Sequence, residues 1–494
     1  MRAFWNRLVH ILLGTVVVVS MLVSLLIFHP SLSLMDDLVH GSDNTMNNGP
    51  RVTEQTGEQK EEPTLADVTR PERVIASRNG VLQATANQEV LEQVMRALTA
   101  QLPDDATPND KDKQSVSNYQ TAMLNHATYI ELEFPDNMDF SLLQQRADVG
   151  KYHFNRLGYV SGEPIMYLID DDKNEVYPLT LMQPAEKIDT TFSKHRGDFY
   201  GVEQVLLNNH VAYIETEART LATLRYMMER QSNSKLLNAL FPASEEIHDY
   251  SDTQMSRYFS GGHSLLVNNN DFQSEYREEF EDSKQAPSLV DAYKYLQRIQ
   301  PANETWLFTD NDQEHATCTF RRYIDGIPVF GDHFVSRINL SKPRENTIQM
   351  QFSALSAQTP VTDLATEKTL PDGKTVLNAL NEQGYDNNAI QALKIGYYWQ
   401  SSAKSNRLID LDPQWMVKVN GSYYALDALI DLSAYPALKP ITQNIAKDTP
   451  LEQDDNDLTQ AALTAQNAAM QTQAMAMGTF LSHLIGKGGM TNGF

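Results

Sequence analysis

From Leu8 to Phe28 the chain reads LVHILLGTVVVVSMLVSLLIF, 21 residues with one ionisable side chain, His10. At about 1.5 Å of rise per residue, a helix of this length crosses a hydrocarbon core of roughly 30 Å. Arg2 and Arg7 precede it, and the next charges are Asp36 and Asp37. Positive flanks stay in the cytoplasm, so the pattern predicts a single-pass anchor with the bulk of the chain outside the cell. The apolar run exceeds a signal-peptide core, and no small-x-small site follows it, so the anchor is expected to remain uncleaved. Gly14, Ser20 and Ser24 place small residues along this helix, where another transmembrane helix can approach closely.

Beyond the anchor the polar pattern changes several times. Residues 36–70 have few large apolar side chains, which predicts a flexible acidic tether. Arg73–Ser77 and Val81–Thr85 read as strands around an Asn79-Gly80 turn. Gln88–Leu102 has helical spacing, Pro103–Asn118 reads as a loop, and Ala127–Phe134 alternates as a strand ended by Pro135. Tyr213–Tyr226 carries extended then helical signals, and Tyr258–Asn268 a hairpin. Ser288–Ile299 is an amphipathic helix followed by strand-like runs, including Ala316–Ile324 and a single long run Ile327–Leu340. Lys374–Gln383 then repeats the helix, with strands on either side of Asn420-Gly421 after it.

These readings give an α+β fold class. The expected organisation is a cytoplasmic stub (1–7), the transmembrane helix (8–28), a linker (29–70) and an N-terminal α/β domain (71–189). A middle domain (190–285) and a C-terminal α+β domain (286–448) follow, the latter made of two helix-plus-meander units, about 286–360 and 372–440. Residues 449–494, rich in Gln, Ala and Met, read as a helical or disordered tail.

A net charge of −24 argues against nucleic-acid binding. The lone cysteine, Cys318, excludes an internal disulfide. Candidate chemistry is sparse. Ser401-Ser402-Ala403-Lys404 matches S-x-x-K but falls between strands and lacks the companion motifs. Gly373-Lys374-Thr375 reads as a helix start. Glu245, Glu246, His248 and Asp249, and the triplet Asp170-Asp171-Asp172, are acidic clusters that read as solvated faces before metal sites. If Asp325-Gly326 is a two-residue turn, continued pairing sets Cys318 opposite His333, a thiol beside an imidazole. No catalytic, cofactor or metal residues are assigned.

Ile130–Pro135, Phe320–Phe330 (FRRYIDGIPVF), Asp412-Pro413-Gln414-Trp415 and Asn420–Tyr424, together with the anchor and tether, resemble the YycH family. The resemblance implies a non-enzymatic membrane protein of low-GC Gram-positive bacteria. It implies action with YycI, related in its C-terminal domain, on the sensor histidine kinase YycG (WalK), tuning cell-wall homeostasis. Two other readings have distinct marks. An anchored cell-wall enzyme, or an inhibitor of one, would be marked by a deep cleft lined by histidine and carboxylates, and a ligand sensor by an enclosed pocket.

Overall fold

The computed structural model describes residues 63–444, apart from 145, 281–287, 301–303, 313–315, 362–365, 403–404 and 406. The anchor with Gly14, Ser20 and Ser24, most of the tether, and the tail lie outside the described residues. Among the described residues, no helix is long and apolar enough to cross a membrane.

The first sheet is antiparallel throughout. Its strands are β1 (Arg73–Arg78), β2 (Val81–Thr85), β3 (Thr128–Asp139), β4 (His153–Val160), β5 (Ile165–Asp170), β6 (Glu175–Thr180), β7 (Tyr200–Leu207) and β8 (His210–Glu215). They lie in the order β6-β5-β4-β3-β1-β2-β7-β8. The β1–β2 turn has positive φ at both Asn79 (49°) and Gly80 (80°), as a tight hairpin matched to strand twist requires. β3 continues past Pro135 to Asp139, because a register shift between Glu133 and Met138 absorbs the proline. The stretch read as loop closes in the helix Val116–Met123, whose first turn is capped by Ser115.

One face of this sheet carries the helix Gln88–Thr99, through Val90, Leu91, Val94 and Leu98. On the other face Val116, Tyr119 and Met123 pack over Ile75, Val160 and Ile169. Arg156, buried in the sheet, donates to Glu131 at 2.6 Å and to both oxygens of Asp171 at 2.6 and 2.8 Å. Tyr213 also donates to Glu131, at 2.6 Å. A buried charge is tolerable when its partners are this complete.

The second sheet holds sixteen strands among the described residues. They are β9 (Arg219–Arg230), β10 (His248–Asp249), β11 (Met255–Ser260), β12 (His263–Asn268), β13 (Gln273–Glu279), β14 (Thr305–Asp312), β15 (Thr317–Ile324) and β16 (Ile327–Phe330). Then come β17 (Arg337–Arg344), β18 (Thr347–Ser353), β19 (Leu355–Pro360), β20 (Thr366–Leu370), β21 (Ile390–Ser401), β22 (Leu408–Val419), β23 (Ser422–Ala425) and β24 (Ile441–Asn444). Its main path is β10-β11-β12-β13-β18-β17-β15-β16-β21-β22-β9-β20-β24, with β14 on β15, β19 on β9 and β23 on β22.

Two expectations are corrected here. Tyr213–Tyr226 contains no helix: Arg219–Arg230 is one long strand, paired with β20, β22 and β19. Its Ala, Leu and Arg content favours a helix locally, and pairing along both edges overrides that preference. The run Ile327–Leu340 is also broken. β16 pairs β15 at Tyr323–Pro328 and Ile324–Ile327, then turns to run parallel with β21 at Val329–Tyr397 and Phe330–Tyr398. β17 begins only at Arg337.

The two sheets share a core. Phe134, Phe154 and Leu157 of the first join Tyr276, Phe308, Phe320 and Met350 of the second, with the helix Leu289–Ile299 in the same cluster. The helix Gly373–Glu382 packs Val376, Leu377 and Leu380 against Leu393, Trp415 and Val417, and against Leu207 and Ile214 of β7 and β8.

Candidate functional site

Where β16 leaves β15 to join β21, the second sheet curls around a cleft of about 910 Å³. Strand alternation decides what enters it. On β15, Cys318, Phe320 and Arg322 point into protein, while Thr317, Thr319, Arg321 and Tyr323 line the cleft. The same period brings Lys394, Tyr398 and Gln400 in from β21, and Gln414, Met416 and Lys418 from β22. Pro135 of the first sheet lies at the margin, and the hairpin Gly421–Ala425 forms a wall.

The adjacent arginines of β15 therefore have different tasks. Arg322 is buried between Trp306 and Trp399, its guanidinium 4.8 Å from each ring centre. It donates to the Leu355 carbonyl at 3.0 Å and lies 3.3 Å from a Glu304 oxygen. Burial pushes the Glu304 carboxyl up, and Arg322 opposes that. This is a structural joint.

Arg321 faces the cleft. It is 9 % exposed, with Nη1 donating to the Val329 carbonyl at 3.1 Å. Its guanidinium sits 4.3 Å from the Phe330 ring centre and 5.3 Å from that of Tyr423, and these two rings are 4.8 Å apart. Burial lowers its pKa without threatening its charge. No carboxylate among the described residues lies within ion-pair distance of it. Directly opposite across the β15–β17 pair is Arg337, exposed and resting 5.0 Å from the Phe334 ring centre. Like charges facing each other across a sheet are unfavourable. Asp332 lies near enough to Arg337 to oppose the lowering of its pKa by burial, Lys394 holds Glu72 at 3.0 and 3.1 Å, and Lys418 lies 4.0 Å from Asp310.

Phe330 reaches its place because Gly396 of β21 leaves room. A Cβ there would lie 2.3 Å from the Phe330 ring. The hairpin carrying Tyr423 turns through Asn420 (φ 50°) and Gly421 (φ 77°), the dipeptide that marks this turn in the sequence.

Of the residues singled out from sequence, His333 lines the cleft, and the others fall elsewhere or remain apart. Cys318 is buried and faces Leu340, not His333, because β16 departs after two rungs. Burial, with Asp136 and Asp310 nearby, pushes the thiol far up, which is the wrong direction for a nucleophile. His333 sits in the loop before β17 with positive φ (51°), its Nδ1 3.3 Å from Asp271. Asp170 takes the Lys173 amide, Asp171 holds Arg156, and Asp172 meets Asn137 and His210, so the triplet diverges. Glu245 accepts from Ser260 at 2.8 Å, and Asp249 from the Ser251 amide at 2.8 Å. Among the described residues, no group of His, Cys, Asp or Glu is arranged to hold a metal ion. Gly373 opens a helix capped by Asp372. Ser401 ends β21, while Ala403 and Lys404 lie outside the described residues. Sequence reasoning did not select Arg321 or Arg337. The available signal was an Arg-Arg pair inside a strand, where alternation must send one of them away from the core.

The family model described as "YycH protein, C-terminal domain" matches residues 209–432, the stretch that builds the cleft. Residues 209–432 belong to the YycH C-terminal domain family. The crystal structure of YycH from Bacillus subtilis is similar in fold, with a TM-score of 0.57 and 16 % sequence identity. The match covers 74 % of this chain and 98 % of that one. No curated protein matches the chain by sequence.

Proposed function

We propose that this chain is a YycH-family protein, a non-enzymatic regulator anchored by Leu8–Phe28 with its folded part outside the cell. It acts with YycI on the sensor histidine kinase YycG (WalK) and so tunes cell-wall homeostasis. The carrying observation is the family match over residues 209–432. The apolar run with positive charge before it and acidic charge after it supports the membrane placement.

Physically, such a regulator works by binding two arrangements of a kinase helix bundle unequally. A differential of about 1–3 kcal/mol changes output roughly 5–150-fold. Gly14, Ser20 and Ser24 are assigned the helix contact, since small residues permit close approach in lipid. Replacing the three together by leucine should abolish co-purification of kinase and YycI from intact membranes after crosslinking. Recovery of the same complex would remove these residues from the interface. Failure of the unaltered chain to capture either protein would overturn the regulatory reading itself.

A further inference from the structure

Three observations at the cleft point the same way. Arg321 and Arg337 face each other, and among the described residues neither lies within ion-pair distance of a carboxylate, although Asp310 and Asp332 line the same cleft and the chain as a whole carries a charge of −24. Arg321 lines the cleft with its guanidinium 4.3 and 5.3 Å from the ring centres of Phe330 and Tyr423, and its Nη1 donates to the Val329 carbonyl. Beside them runs β23, paired with β22 along one edge only among the described residues, with Ser422 exposed and Tyr424 42 % exposed. Planar guanidinium donors match a carboxylate in a two-point geometry, and an open strand edge offers backbone donors and acceptors at strand spacing.

We propose that this cleft binds an extended, carboxylate-bearing peptide segment of a partner protein, which adds as a strand beside β23 and sets its acidic side chain between Arg321 and Arg337. The cations already matched, Lys394 and Lys418, flank the seat without competing for the ligand. A carboxylate placed there relieves the repulsion between the two arginines, so that charge does not have to be balanced from within the sheet. Backbone pairing supplies affinity, and the arginines supply the choice of an acidic residue at one position. The site is read from the cleft alone and stands whether or not the kinase is the partner.

The test uses the full-length chain in detergent micelles and fluorescent eight-residue peptides of alternating valine and threonine, with glutamate, glutamine or lysine at a central position. The glutamate peptide should bind at least tenfold more tightly than the other two. Arg337→Glu, an exposed change that leaves the core intact, should erase that preference, as should Arg321→Met. Methylating alternate backbone nitrogens of the glutamate peptide should weaken binding by a similar factor. Equal binding of the three peptides, or a preference that survives Arg337→Glu, would overturn the acidic seat. Binding indifferent to backbone methylation would overturn the strand addition.

Discussion

Arg321 and Arg322 are neighbours in sequence, yet one is a ligand-facing cation and the other a buried strut. The strut is the more consequential for stability. Glu304 has Arg322 as its cationic partner, along with donors from Trp306 at 3.1 Å and the Ala357 amide at 3.2 Å. Arg322→Met keeps the volume between Trp306 and Trp399 but strands a buried carboxylate, and should cost about 3–5 kcal/mol in urea unfolding. Adding Glu304→Gln should restore most of that loss, since replacing both partners avoids the uncompensated charge. If the double variant is no more stable than the single, the pair is not the cause. Nothing in the sequence separates these two roles. Both arginines lie in FRRYIDGIPVF, and only the pairing of β15 with β14 and β17 decides which side is core.

At the scale of elements, the hairpins were legible because their turns are local. Asn79-Gly80, Asp325-Gly326 and Asn420-Gly421 each place two successive residues at positive φ, and few other dipeptides do so cheaply. The helices Leu289–Ile299 and Gly373–Glu382 were legible from spacing and from their caps, Ser288 and Asp372. The long strand Arg219–Arg230 was not, because its pairing partners lie more than a hundred residues later. The break after Phe330 was passed over although Gly331 and Asp332 interrupt the run, because Phe334 and Val335 resume the apolar pattern beyond them. With that break came the loss of the expected Cys318–His333 pairing and the appearance of the cleft. The parallel pairing of β16 with β21 depends on contact between Phe330 and the bare Gly396 backbone. Gly396→Ala should destabilise the chain by about 1–3 kcal/mol, read from its urea midpoint, through overpacking against that ring. An unchanged midpoint would mean the ring moves freely and is not held in place.

In the whole molecule the two sheets meet along a polar seam beside their common core. Asp136 of β3 accepts from the Asn311 amide of β14 at 2.6 Å. Burial and then the charge of Asp310 push its carboxyl up to about 7, from an ordinary 3.8. A carboxyl raised in the folded state holds a proton that the unfolded chain has already released. Folding stability from this group is therefore full below about pH 4 and declines as pH rises through about 7. Asp136→Asn should flatten that decline and raise stability at pH 8 by on the order of 1–2 kcal/mol. A parallel pH profile in the variant would assign the dependence to other groups.

The position of Arg219–Arg230 also bears on how the protein is made. Its three flanking strands, β19, β20 and β22, are drawn from residues 355–419, so a ribosome or export channel delivers the middle of the sheet well before anything that can zip onto it. During that interval the chain presents a long, bare ribbon to whatever surrounds it, and ordering waits on distant sequence. Chains cut short before residue 355 should accumulate as aggregates, while trimming after residue 444 leaves every one of those pairings in place.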